Sequence, residues 1–100
     1  MRTEPEDEHI LLIEDDPDDA ELTSVALQKT NAQSSITIAQ TAEKGLALLV
    51  QQGWTMIFLD HKLPGKSGLE ILPEIRIRDP EAGIVMLTGP KDTEIAAADP

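Results

Sequence analysis

The sequence contains no cysteine, and its eight basic residues are outnumbered by nineteen acidic ones. Without cysteine there are no disulfides, thiolate metal sites or cysteine nucleophiles, and a reducing compartment such as the cytoplasm is allowed. The scarcity of lysine and arginine leaves a net charge of -11, which repels phosphate backbones, so this chain is not expected to bind nucleic acid directly. Long apolar runs are lacking too. None approaches the ~18 residues of a membrane-spanning helix, so the protein is expected to be soluble. Repeats are absent, and the one tryptophan, Trp54, reads as a packing residue after Gly53.

What remains is a single-domain composition, 100 residues with 40% hydrophobic content. Residues 1–8 are acidic and interrupted by Pro5, which predicts a disordered leader. His9-Ile10-Leu11-Leu12-Ile13 is a short apolar run of the kind a doubly buried strand shows, and it breaks off into Glu14-Asp15-Asp16-Pro17. Asp16 before Pro17 predicts a helix N-cap, and the helix runs to about Lys29 with Leu22, Val25 and Ala26 inward. Ile36–Ala39 predicts the second strand, with Thr41 capping a second helix that Gly53 closes. Residues 55–60 form the third strand. Ser67-Gly68-Leu69-Glu70 has capping-box spacing and opens a third helix, with Leu69, Leu72 and Ile75 or a neighbouring set inward. Pro73 should kink that helix or shift its start. Ile84–Thr88 is a fourth strand, and a fourth helix begins at Asp92.

Alternating strands and helices imply right-handed crossovers and a parallel sheet covered on both faces. In such sheets the strand C-termini line one edge, where ligands bind. Glu14, Asp15 and Asp16 follow the first strand, Asp60 ends the third and Thr88 ends the fourth, so these groups are expected to converge there. Carboxylates at ~4 Å repel by roughly 1 to 4 kcal/mol per pair, a cost that a cation relieves. Oxygen donors favour a hard ion, Mg²⁺ before Ca²⁺, and a carboxylate beside it can attack a phosphoryl group. The acidic run does not fit a calcium-binding loop, because Ala20 stands where an oxygen ligand is needed. An aspartyl-phosphate phosphatase would want an acid two residues after Asp60, where Lys62 stands.

Three ordered motifs resemble the receiver domain of two-component response regulators. They are Ile10-Leu11-Leu12-Ile13-Glu14-Asp15-Asp16, Leu59-Asp60-His61-Lys62-Leu63-Pro64-Gly65 with Gly68, and Val85-Met86-Leu87-Thr88-Gly89. The resemblance covers nearly all of the chain after the leader. It implies a flavodoxin-like doubly wound α/β sheet in the order 2-1-3-4, over residues 9–100, with the fifth strand, fifth helix and the family's lysine falling beyond Pro100. It implies that Asp60 accepts a phosphoryl group from a histidine kinase or phosphotransfer protein with Mg²⁺ bound, and that Thr88 hydrogen-bonds the group. Asp15 and Asp60 would ligate the metal, Glu14 would act through water, and Lys62 would offer its backbone carbonyl. Asp16 aligns one step past the acidic pair and reads as the helix cap. His61 and Lys62 read as exposed loop residues flanking the site. Activity of the chain itself would be at most self-phosphorylation and autodephosphorylation on Asp60. The alternative is a degenerate or truncated receiver that binds a partner without phosphorylation. Ending at Pro100 is expected to leave strand four as an edge that invites pairing between copies.

Overall fold

A computed structural model of the chain describes residues 8–87. Most of the leader, Thr88 and the expected fourth helix lie outside them. Seven elements follow in strict alternation: β1 (His9–Ile13), α1 (Pro17–Thr30), β2 (Ser35–Ala39), α2 (Ala42–Leu49), β3 (Met56–Asp60), α3 (Gly68–Arg78) and β4 (Gly83–Leu87). The strands form one parallel sheet in the order β2-β1-β3-β4, the order that the resemblance implies. Among the described residues no helix is long and apolar enough to cross a membrane.

Strand periodicity divides the sheet's side chains between two unequal faces. Leu11, Ile13, Ile57 and Leu59 are fully buried and join Leu46, Leu49, Ile71 and Ile75 of α2 and α3 in the main core. α2 sits so close to β1 that a Cβ on Gly45 would strike the Ile13 side chain. Trp54 is buried at the edge of this core and its indole N–H donates to the Leu48 carbonyl at 3.1 Å, as expected of a packing residue. On the opposite face Ile10 and Leu12 are buried, and α1 contributes one buried side chain, Ala20.

α1 is turned differently from the expected stripe. Leu22 is 69% exposed and Val25 47%, and Ala26 is also exposed. Ala20, Thr23, Ser24 and Leu27 are the more buried set, at the i, i+3, i+4, i+7 spacing of an inward face. The helix start is held by its cap, where Asp16 accepts from the Asp18 and Asp19 amides and the Ala20 amide donates to the Asp16 carbonyl at 2.9 Å, but which stripe turns inward is decided by where the sheet lies. Apolar character alone does not carry that choice.

Gly53 is not a left-handed terminator either. α2 ends at Val50 in the right-handed region, and Gly65 is the one glycine with positive φ among the described residues. In α3 the buried set is Gly68, Ile71 and Ile75, while Leu69 is 58% exposed. Pro73 lies inside the helix without shifting its start, because the Ser67 hydroxyl accepts from the Glu70 amide at 3.2 Å and the Glu70 carboxylate accepts from the Ser67 amide at 3.0 Å. The loss at Pro73 is one hydrogen bond, to the carbonyl four residues back. With one interior bond gone, α3 depends on its capping box. Ser67→Ala is expected to destabilise the protein by about 1 kcal/mol, read as a lower urea midpoint at unchanged slope.

Candidate metal centre

The strand order brings the C-terminal ends of β1 and β3 side by side, with Ile13 opposite Leu59. Asp60 is the last residue of β3, paired with Leu87 of β4, and Glu14 follows the last residue of β1. The Glu14 amide continues the ladder by donating to the Ala39 carbonyl at 2.9 Å, which holds this residue in strand geometry. One carboxylate oxygen each from Glu14, Asp15 and Asp60 lies within 4.8 Å of the others. Glu14 is buried, Asp60 half-buried and Asp15 exposed, so the cluster grades from the sheet edge out to solvent.

Backbone amides hold two of these acids in place. The Asp16 amide donates to Glu14 Oε2 at 3.2 Å, and the Lys62 amide donates to the Asp60 carboxylate. Asp16 itself stands apart from the cluster, with its Oδ1 accepting from the Asp18 amide at 2.9 Å. Its carboxylate is a helix cap, as the sequence suggests.

Burial raises the Glu14 carboxyl to about 7, against the opposing Asp16 amide and with the negative charge of Asp60 adding to the rise. Asp60 is likewise raised, chiefly by burial, while a hydrogen bond with Glu14 and the Lys62 amide pull the other way and the charge of Asp15 pushes up. In the absence of a cation, the pair therefore tends to retain a proton near neutrality. Three converging oxygen donors, none of them nitrogen or sulfur, fit a hard divalent cation.

The loop after Asp60 returns tightly to the sheet. Gly65 takes φ 81°, Lys62 and Ser67 form an isolated antiparallel bridge, and the Gly68 amide donates to the His61 carbonyl at 2.8 Å. A Cβ on Gly68 would strike the Asp60 backbone carbonyl, so only glycine lets α3 start this close to the acid. Gly68 stands in the second motif, and the one sign of this contact in the sequence is a glycine at the first helical position, directly after the Ser67 cap. His61 was expected to be exposed and is half-buried, with Nδ1 buried and without a partner among the described residues. Its amide donates to the Leu87 carbonyl at 3.1 Å, extending the β3–β4 ladder and drawing the residue inward. Lys62 is exposed as expected. Thr88 lies outside the described residues.

The model of the response regulator receiver domain matches residues 10–99. The transcriptional regulatory protein AfsQ1 of Streptomyces coelicolor is 40% identical over 83 residues, 83% of this chain and 36% of that protein. The chain thus spans about a third of the length of the curated relatives it matches. Among solved structures, response regulator TrrA of Thermotoga maritima, in complex with Mg²⁺ and BeF, is 31% identical with a TM-score of 0.74, over 87% of this chain and 75% of that one. TrrA in complex with the histidine kinase ThkA gives 33% and 0.73, over 82% and 69%. A response regulator of Burkholderia pseudomallei with a phosphorylated aspartic acid and a calcium ion is 25% identical with a TM-score of 0.74, over 83% and 48%.

The raised carboxyls make stability depend on pH in a definite direction. Glu14 has a folded value of about 7 above its ordinary 4.5, so its stabilising share is complete below about 4.5 and is lost as pH rises through about 7. In a chelating buffer the melting temperature is therefore expected to fall between about pH 5 and pH 8, and Glu14→Gln, which cannot ionise, should flatten that fall. Equal falls in both proteins would remove Glu14 as the source.

Proposed function

Since the chain belongs to the response regulator receiver family, we propose that it works as a phosphoacceptor switch, taking a phosphoryl group onto Asp60 from a histidine kinase or phosphotransfer protein with Mg²⁺ bound. The observation that carries this reading is the meeting of the Glu14, Asp15 and Asp60 carboxylates at the C-terminal tips of adjacent central strands. Relatives add support: one is phosphorylated on an aspartic acid, and another is seen with Mg²⁺ and BeF and with a histidine kinase.

In this reading a carboxylate oxygen of Asp60 attacks phosphorus. A new O–P bond forms as the bond from phosphorus to the donor's imidazole nitrogen breaks, and the released nitrogen keeps the electron pair and takes up a proton. Asp15 and Asp60 would hold the metal directly, Glu14 would act through water, and the Lys62 backbone carbonyl would complete the protein's share. A bound divalent cation neutralises the crowded carboxylates and the charge on the incoming phosphoryl oxygens. The Lys62 amide orients Asp60, and the Asp16 amide orients Glu14. Asp16 is left to the helix cap. Thr88 is assigned the phosphoryl hydrogen bond on the family resemblance alone.

Incubation with Mg²⁺ and a small acyl phosphate, followed by intact mass measurement, tests the acceptor. A phosphoryl-sized gain is expected in the wild type and none in Asp60→Asn. Absence of any gain under conditions that label other receivers would favour a phosphorylation-independent interaction module. The metal assignment is tested separately by thermal melts. Millimolar Mg²⁺ should raise the melting temperature of the wild type by mass action, and Asp15→Ala should blunt the rise. Asp15 is exposed, so this substitution leaves the core intact, and identical Mg²⁺ responses would take Asp15 out of the site.

A further inference from the structure

Among the described residues β2 is an outer strand of the sheet. The Ser35 amide donates to the Glu8 carbonyl and the Glu14 amide to the Ala39 carbonyl, both at 2.9 Å. Bonding groups in a parallel pair alternate along the strand, so Ser35, Thr37 and Ala39 turn N–H and C=O toward β1, and Ile36 and Ile38 turn theirs to the open side. Natural edges are ordinarily blunted by lysine, proline or a bulge. Here residues 30–42 hold no charged residue and no proline, in a chain of net charge -11. Ile38 is 42% exposed on this edge, and beside it lies a groove of about 370 Å³ whose walls combine Pro17, Ala20, Val25 and Ile38 with one acid, Glu21, and one base, Lys44.

We propose that β2 is a self-association edge: a second copy of this chain pairs with it antiparallel, about a two-fold axis at Thr37, to give one continuous sheet. The edge is self-complementary. With Thr37 opposite Thr37, Ile36 of each copy faces Ile38 of the other, and these are the residues whose N–H and C=O point outward. Their side chains meet on the α1 face, where Val25 in the groove wall extends the apolar contact, and Thr37 meets Thr37 on the other face. Two copies, each of net charge -11, repel one another, and residues 30–42 are where they can meet without bringing like charges together. A five-residue edge is small beside the ~800 Å² per partner of a stable interface, so the pairing is reversible and depends on concentration. The candidate metal centre, at the tips of β1 and β3, stays outside the contact.

Sedimentation of the full chain over a wide concentration range tests this. The mass should rise from one chain toward two, and added salt should promote the rise by screening the mutual repulsion. Ile38→Lys should abolish it although that change lowers the net negative charge, while Leu22→Lys, at an exposed site outside the groove, should leave it unchanged. Amide exchange of the wild type supplies a readout independent of any variant: Ile36 and Ile38 should slow as concentration rises, and Thr37, already bonded to β1, should not. A single-chain mass throughout, association that survives Ile38→Lys, or exchange at Ile36 and Ile38 indifferent to concentration would overturn the proposal. Capture of an extended peptide by an otherwise monomeric chain falls under the first of these.

Discussion

Mutual repulsion among three carboxylates is the constraint to which this end of the molecule answers. At ~4 Å each pair costs roughly 1 to 4 kcal/mol in surroundings ranging from water to near-surface protein, and burial adds to the cost. The backbone that holds Glu14 and Asp60 must therefore be fixed by interactions with no stake in the repulsion. Central strands meet that need: Ile13, Ile57 and Leu59 are fully buried beside the acids, so the carboxylates cannot separate by moving the strands apart. A proton shared between Glu14 and Asp60, or a divalent cation, are two ways of relieving the same strain.

The surrounding loops follow from that requirement. Each of the two buried or half-buried acids is met by an amide two residues further on, Asp16 for Glu14 and Lys62 for Asp60. The short return from Asp60 to α3 needs positive φ at Gly65 and a missing side chain at Gly68. The two faces of the sheet are correspondingly unequal. α2 and α3 clamp β1 and β3 with a large apolar core, which keeps the acid-bearing strands rigid, whereas α1 meets the sheet through a small residue, Ala20. The lighter face leaves Val25 and Ile38 partly open, next to a strand without charge.

Much of this was legible in the residues. Apolar runs of strand length marked β1 and β3, and Asp16, Thr41 and Ser67 announced three helix starts because a capping side chain acts on amides two or three residues away. Asp60 stood out because an apolar run ends there in a charge. The phase of α1 and the conformation at Gly53 were not legible. Which of two apolar stripes turns inward is decided by where the sheet lies, and whether a helix ends in the left-handed region is decided by how the chain must leave it.

The sequence by itself determined the alternation of elements, the caps and the identity of the acids, since these rest on side chains acting within a few residues of themselves. Only the tertiary structure decided that burial raises the Glu14 and Asp60 carboxyls, that Gly68 lies against the Asp60 carbonyl, and that Ile36 and Ile38 face an open edge. Each of these depends on distances between segments far apart in the chain. Such distances are set by strand order and sheet register, and no local preference encodes them.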